Sequence, residues 1–169
     1  KYPECNFVPV YWMATEDHDF DEINYFSFKG KKVQWNRASA GAVGNLSTEG
    51  LEDVFKVFSE QLGNTQNAEM LRALFSKAYL DHDNLADATL FLANELFKDY
   101  GLVIIDGDDT KLKQLFNPFV KEELQNNTSF KEVSETILEL ERNYKIQVNP
   151  RDINLFYLSE MQTIGLIQC

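Results

Sequence analysis

The amino-acid sequence predicts an α/β fold, that is, a parallel or mixed β-sheet covered by helices. Two runs, residues 7–14 (FVPVYWMA) and 102–105 (LVII), are almost wholly apolar and rich in β-branched or aromatic residues, which is the pattern of strands buried on both faces. Stretches of helical periodicity lie between and after these runs, and strands that alternate with helices are typical of α/β sheets. The chain has 169 residues, the size of one domain, and we expect a single region without an internal boundary.

The first third of the chain is predicted to hold a strand and a β-hairpin. Residues 7–14 form the strand, and Pro9 favours an early or edge position because proline cannot donate to a sheet. Residues 23–28 and 33–35 flank Lys29-Gly30-Lys31-Lys32, which indicates a hairpin.

Helices follow from Leu46 onward, where apolar residues recur at i, i+3 and i+4. The spacing predicts helices around residues 51–62, 71–78, 85–96, 112–119 and 129–144. Ser47 and Thr48 are candidate N-caps for the first of them, and Ser129-x-x-Glu132 has the spacing of a capping box for the last. Gly101 is expected to end the third helix, Asn117-Pro118 to interrupt the fourth, and residues 153–158 to form a further strand.

Composition excludes several classes of protein. Sixteen Lys and Arg against 27 Asp and Glu leave a formal charge of -11, which argues against binding to nucleic acid or an anionic membrane surface. No apolar run is long enough to cross a membrane, and no signal segment opens the chain. Cys5 and Cys169 fit no disulfide framework, so we expect a cytoplasmic protein.

An acidic loop follows the first predicted strand, with Glu16, Asp17, His18 and Asp19 at its centre. A carboxylate beside an imidazole is a common acid–base arrangement, because the carboxylate selects the tautomer and stabilises the protonated ring. A solvated acidic turn is the alternative. His18 favours function, since the chain has only two histidines.

A second acidic group, Asp106-Gly107-Asp108-Asp109, follows the second predicted strand. Ligands of α/β sheets bind at the carboxyl ends of the strands, so Asp106 and Asp108 are candidates to bind a ribose, a metal or an ammonium group. The alternative is that Asp108 or Asp109 caps the next helix.

Residues 29–45 carry a local positive charge in an acidic chain. Lys32 and Arg37 are candidates to bind an anionic substrate, and Gly41 and Gly44 would let the backbone approach it closely. Lysines around a hairpin are usually only solvated, which is the alternative.

We predict no metal site in this chain. Asp17, Asp19 and Asp21 have the spacing of an EF-hand loop, but Glu22 stands where that loop requires glycine and Phe28 where it requires glutamate. Zinc has no support, because His82 lies far from His18 in the sequence. A carboxylate pair for Mg²⁺ stays open.

Four stretches resemble the signature of the bacillithiol biosynthesis cysteine-adding enzymes. The first, residues 8–24 (VPVYWMATEDHDFDEIN), is long and unusual, and the others are residues 41–46 (GAVGNL), 94–106 (NELFKDYGLVIID) and 153–158 (INLFYL). Thr15 stands where we expect the family's glycine. The resemblance implies a Rossmann-like core and a chain that is the middle part of a longer protein with further core and a coiled coil.

The resemblance also implies an activity. It indicates a cysteine ligase that joins the carboxyl of cysteine to the amine of glucosaminyl malate, giving bacillithiol. His18, or Glu16, Asp17 or Asp19, would take the proton of the amine; the malate carboxylates would bind at the basic residues, with Arg37 the best candidate. Amide formation from a free carboxylate is uphill, so ATP or another adenine nucleotide with Mg²⁺ is expected, as is a homodimer formed through regions outside this chain.

Two other functions stay open at this point. One is a metal-dependent phosphohydrolase or transferase that uses Asp17, Asp19, Asp106 and Asp108. The other is a noncatalytic binding or scaffold domain, suggested by the long amphipathic helices.

Overall fold

The computed structural model describes residues 2–158 and 163–165. The chain divides into two units, Lys1–Asp108 and Asp109–Cys169, and each is described by itself. The first unit contains the strands β1 (Val10–Met13), β2 (Tyr25–Phe28), β3 (Lys31–Gln34) and β4 (Val103–Asp106), and the helices α1 (Phe20–Ile23), α2 (Leu51–Gln61), α3 (Gln66–Leu80) and α4 (Leu85–Phe97). The second contains α5 (Thr110–Leu115), α6 (Asn117–Asn126), α7 (Thr128–Leu140), β5 (Phe156–Leu158) and β6 (Thr163–Gly165).

The two apolar runs pair with each other as parallel strands. β1 and β4 align in register from Val10 opposite Val103 to Met13 opposite Asp106, and parallel pairing requires a long crossover, here the hairpin and three helices. The predicted α/β fold is therefore confirmed.

One expectation for β1 is wrong, because the strand is not buried on both faces. Met13 is buried, but Val10, Tyr11 and Trp12 are 54%, 41% and 51% exposed. These exposures show that much of the apolar surface of β1 lacks a covering layer, and β4 is the only strand paired with β1 in the described part of the chain.

The predicted hairpin is confirmed, with a tighter turn than expected. β2 and β3 pair antiparallel, and the turn consists of Lys29 and Gly30, whose φ angles are 49° and 77°. Two positive φ values in succession give a turn whose twist matches that of the strands. Lys31 and Lys32 therefore belong to β3 and not to the turn.

A cluster of large apolar side chains lies beneath the acidic loop. Phe20, the first residue of α1, packs edge-on against Trp35 with 5.3 Å between ring centroids, and both are buried. Val43, Leu46 and Leu51 complete the cluster. The acidic loop is thus followed directly by Phe20, whose side chain is packed in the core.

Most helix boundaries follow the prediction, but two N-caps do not. Gly50, with φ 87°, precedes α2, and the Thr48 hydroxyl instead donates to the His82 carbonyl at 2.5 Å. Asn127 precedes α7 with φ 50° and no side-chain cap, so the predicted capping box is wrong. In both places a left-handed residue starts the helix, which a side-chain pattern does not reveal.

Other helix signals are confirmed. Gly101 adopts φ 70° after α4 and its short 3₁₀ extension, and Pro118 restarts the fourth predicted helix as α6. The Asp109 side chain accepts from Leu112 N at 2.8 Å, which makes Asp109 the N-cap of α5. In the described part of the chain, no helix combines the length and the apolar character that a membrane crossing requires.

In the second unit, Glu123 joins three segments. Its carboxylate accepts from Ser129 N in α7 and from Asn154 N ahead of β5, both at 2.9 Å. The predicted strand at residues 153–158 is shorter, since β5 starts at Phe156 and Ile153 is a buried residue before it.

Candidate functional site

The site forms where the carboxyl ends of β1 and β4 meet. Met13 and Asp106 are register partners, and Gly107 N donates to the Met13 carbonyl at 2.9 Å. Parallel strands end at the same edge of a sheet, so the acidic loop after β1 lies beside the acidic group after β4. The structure thus brings together two groups that are about 90 residues apart in sequence.

Thr15 connects these two loops. It is 6% exposed, its hydroxyl donates to Asp106 Oδ1, and the same hydroxyl accepts from Asp108 N at 3.0 Å. Asp108 N also donates to Asp106 Oδ1 at 2.9 Å. The Thr15 hydroxyl, the Asp106 carboxylate and Asp108 N are therefore hydrogen-bonded to one another where the two strands end.

The glycine loop packs against the acidic loop. Val43 N donates to the Asp17 carbonyl at 2.7 Å and Gly44 N to the Thr15 carbonyl at 2.9 Å. A Cβ added to Gly44 would lie 2.6 Å from Thr15 Cβ. The close backbone approach predicted for Gly44 therefore exists, but it is made to the chain's own Thr15. Gly41 has φ 76° and needs glycine for its conformation.

Glu16 turns inward from the acidic loop. Its Oε1 accepts from Trp12 Nε1 at 3.3 Å; its Oε2 is buried and has no hydrogen-bond donor among the described residues. The carboxylate fills the space beside Gly107, where an added Cβ would lie 2.7 Å from Glu16 Cδ. Gly107 thus leaves room for this side chain.

Asp17 and His18 face solvent. Asp17 Oδ1 lies 3.3 Å from His18 Nδ1, and the two side chains are 52% and 61% exposed. The same oxygen accepts from His18 N at 2.6 Å and from Asp19 N at 3.3 Å. This local network fixes the Asp17 carboxylate beside the imidazole, while Asp19 is exposed.

The predicted basic residues make contacts elsewhere in the first unit. Arg37 donates to the carbonyls of Ala38 and Ser47 at 3.2 and 2.5 Å, and its guanidinium lies 5.0 Å from the centre of the Trp35 ring. Lys32 Nζ lies 4.0 Å from the centre of the Tyr25 ring. Lys32 therefore lies on β3 of the hairpin and Arg37 on the segment that follows it, and the two hydrogen bonds occupy part of the donor capacity of Arg37.

Two features that would favour a metal or a nucleotide phosphate, a cluster of three ligating side chains and a free backbone cradle in the glycine loop, are absent among the described residues. Among residues 2–158 and 163–165, no three His, Cys, Asp or Glu side chains are grouped so that they would hold a metal. The N–H groups of Val43, Gly44 and Asn45 are all donated to carbonyls, so this loop offers no backbone cradle for phosphate.

A second feature of the first unit is an apolar cavity of about 140 Å³ beneath the hairpin. Aromatic side chains from β2, α2 and α3 line it, among them Phe26, Phe58 and Tyr79. Burial, with a smaller effect of Tyr11, raises the pKa of the Tyr79 hydroxyl. The sequence pattern did not indicate this cavity, because it depends on how the hairpin packs on the helices.

Sequence reasoning also missed Trp12, Gly107 and Asn45, whose side-chain amide donates to Asp108 Oδ2 at 3.4 Å. The position of Trp12 and Gly107 next to the acidic residues was the signal available. Their roles depend on the pairing of β1 with β4, which no local pattern specifies.

His82, the other histidine, has the structural role expected for a residue at a helix boundary. Its Nδ1 lies 2.9 and 3.0 Å from the carbonyls of Ala78 and Lys77 at the end of α3. It therefore contributes to a helix end and not to the acidic edge.

The sequence profile of the family described as "Bacillithiol biosynthesis BshC, N-terminal Rossmann-like domain" matches residues 1–168. The chain belongs to this family. The match confirms the Rossmann-like fold and the resemblance found in the sequence, and it runs across both units.

Relatives within the family are similar over nearly the whole chain. A protein of Flavobacterium johnsoniae is 62% identical over 95% of the chain, one of Flavobacterium psychrophilum is 62% identical over 94%, and one of Christiangramia forsetii is 57% identical over 95%. Each carries the name "Putative cysteine ligase BshC". The chain spans only about 30% of the length of these relatives.

Proposed function

We propose that this chain takes part in the ligation of cysteine to glucosaminyl malate through an amide bond. The observation that carries the proposal is the Asp17–His18 pair, exposed on the loop that directly follows β1. This is the edge of an α/β sheet at which ligands bind. The names of the relatives support a ligase that acts with cysteine.

His18 is proposed as the base that takes a proton from the substrate amine. An amine attacks a carbonyl carbon only with a free electron pair, so its ammonium form must first lose a proton. Asp17, 3.3 Å from Nδ1, favours a proton on that nitrogen and leaves Nε2 to act as the base. Asp19 and Glu16 are the remaining catalytic candidates, and Glu16 is the less accessible of the two.

Carboxylates at the same edge are proposed to bind the amino substrate before it reacts. Asp106 ends β4 and Asp108 follows it, beside the loop that carries His18, where they would attract an ammonium group. Lys32 and Arg37, with Gly41 on the loop beyond them, stay the candidates for the malate carboxylates. Gly44 is left with a packing role, because its N–H and its Cα are both used against Thr15.

An adenine nucleotide with Mg²⁺ stays a proposal for the activation of cysteine. The N–H groups of Val43, Gly44 and Asn45 are already donated to carbonyls, so this loop does not cradle its phosphates, and no step of the reaction is derived through it. The cytoplasmic location and the homodimer stay predictions in the same way.

A thermal-shift titration of the 169-residue chain tests the proposal. Glucosaminyl malate is added first, then cysteine and adenine nucleotides. A ligand at 100 times its dissociation constant adds about 2.7 kcal/mol to the free energy of unfolding, and we expect glucosaminyl malate to raise the melting temperature accordingly. His18→Ala is expected to lose this shift.

His82→Ala is the matched control, because it removes the other histidine at the end of α3. It is expected to lower the melting temperature without ligand and to keep the shift. A chain that glucosaminyl malate does not stabilise at any concentration would overturn the proposal. Release of phosphate that depends on Mg²⁺ and not on cysteine would support the phosphohydrolase alternative instead.

A further inference from the structure

Thr15 has a buried hydroxyl whose hydrogen bonds join the ends of two strands. The hydroxyl donates to Asp106 Oδ1 and accepts from Asp108 N. The Met13 carbonyl, at 3.5 Å, is a second and more distant acceptor for the same proton. The orientation toward Asp106 makes the shorter bond and leaves the hydroxyl oxygen to accept from Asp108 N. Thr15 therefore fixes the Asp106 side chain as well as the backbone that follows it.

The consequence for Asp106 is that its two oxygens differ. Oδ1 accepts from the Thr15 hydroxyl and from Asp108 N. No donor to Oδ2 is found in the described part of the chain, and the residue is only partly buried. Asp106 thus has one carboxylate oxygen held by the protein and one left for a donor from outside.

We propose that Thr15 is a positioning residue that holds Asp106 Oδ2 in place as the acceptor for the ammonium group of the amino substrate. This rests on the proposed function and adds to it the group that recognises the amine and the residue that orients it. A bond between an ammonium and a carboxylate is about twice as strong as a neutral one and depends on direction. A carboxylate free to rotate would lose part of that advantage.

The side chain of threonine allows the orientation and the packing to be separated. Its methyl side packs against Gly44, while its hydroxyl makes the two hydrogen bonds. Thr15→Val keeps the shape and removes the hydroxyl. Thr15→Ser keeps the hydroxyl and removes the methyl group.

The test measures affinity by calorimetry for two ligands, glucosaminyl malate and glucosyl malate, in which a hydroxyl replaces the amine. The wild-type 169-residue chain is expected to bind the amine at least about tenfold more tightly, the gain of one charge-assisted hydrogen bond. Thr15→Val is expected to lose most of this preference and Thr15→Ser to retain it. Asp106→Asn, which keeps the shape of the side chain and removes its charge, is expected to abolish the preference.

The outcomes separate this inference from the proposed function. If the wild-type chain binds neither ligand, the proposed function fails and the inference fails with it. If the wild-type chain prefers the amine and Thr15→Val prefers it equally, the inference is wrong while the function stands. If Thr15→Val does not fold, the comparison of Thr15→Ser with Asp106→Asn decides, because an unchanged preference in Asp106→Asn overturns the inference.

Discussion

At the scale of single residues, the structure of the sheet edge depends on two glycines whose missing side chains leave room for their neighbours. Gly107 has no side chain, and the Glu16 carboxylate occupies the space that one would fill. Gly44 has none either, and Thr15 packs against it. A side chain added at either glycine would displace its neighbour, but the two neighbours differ. The end of the Glu16 side chain can rotate away, whereas Thr15 is buried between two loops.

Gly107→Ala should therefore change function more than stability. The added methyl group would displace the Glu16 carboxylate, which can rotate away, so we expect little change in the melting temperature. Because Glu16 is one of the proposed catalytic residues beside Asp17 and His18, loss of its position is expected to weaken binding of the proposed substrate, glucosaminyl malate, about tenfold, or about 1.4 kcal/mol. Calorimetric titration of the variant checks this.

A double-mutant cycle provides the control for Gly107→Ala. In a Glu16→Ala chain the added methyl group meets no carboxylate, so the second substitution should have no further effect on binding. Additive losses in the double variant would show that Gly107 acts through something other than Glu16.

At the scale of elements, Glu123 of α6 holds the start of α7 and the segment ahead of β5. Backbone N–H donors, Asn154 N first and Ser129 N second, lower the pKa of the Glu123 carboxyl. A group whose pKa is lower in the folded state stabilises that state above its ordinary pKa, near 4.5. The contribution is lost as pH falls from that value through the lower pKa of the folded state.

Glu123→Gln is expected to lower the melting temperature by a few degrees at pH 7 and to flatten its decrease as pH falls below about 4.5. The amide has one acceptor oxygen where the carboxylate has two, so one of the two N–H groups loses its partner. Glu122→Gln, at the exposed neighbouring position, is the control and should keep the wild-type pH dependence. Equal curves for wild type and Glu123→Gln across this pH range would contradict the assignment.

The same scale shows what sequence patterns can and cannot predict. Apolar periodicity located β1, β4 and the main helices, because each of these signals lies within one element. The start of α2 at Gly50 and of α7 at Asn127 was missed, since a left-handed residue carries no side-chain pattern. The sequence pattern also located the acidic residues. It could not predict the hydrogen bond between Thr15 and Asp106, because that bond depends on the pairing of β1 with β4.

At the scale of the whole molecule, the chain is shorter than its relatives and its parallel sheet has few strands. It spans about 30% of the relatives, and its parallel sheet has two strands among the described residues. Trp12 and Val10 of this sheet are about half exposed. Parallel sheets are usually covered on both faces, and much of the free energy of folding comes from that cover.

We therefore expect the 169-residue chain to unfold over a broad temperature range with a small enthalpy. The full-length relative from Flavobacterium johnsoniae should unfold more sharply under the same conditions. Scanning calorimetry checks this by comparing the calorimetric and van't Hoff enthalpies. A single sharp transition with equal calorimetric and van't Hoff enthalpies would contradict this expectation. It would show that the core of the 169-residue chain is enough for cooperative folding.

The parallel pairing of β1 with β4 also has a consequence for the order of folding. Thr15 and Asp106 are 91 positions apart, and closing a long loop costs entropy that only later contacts repay. The hairpin and α2 to α4 can form from local contacts while the chain is still growing, whereas the acidic edge must wait for β4. During synthesis the site would therefore be the last part of the first unit to assemble, and a chain arrested before Val103 would hold its helices but no site.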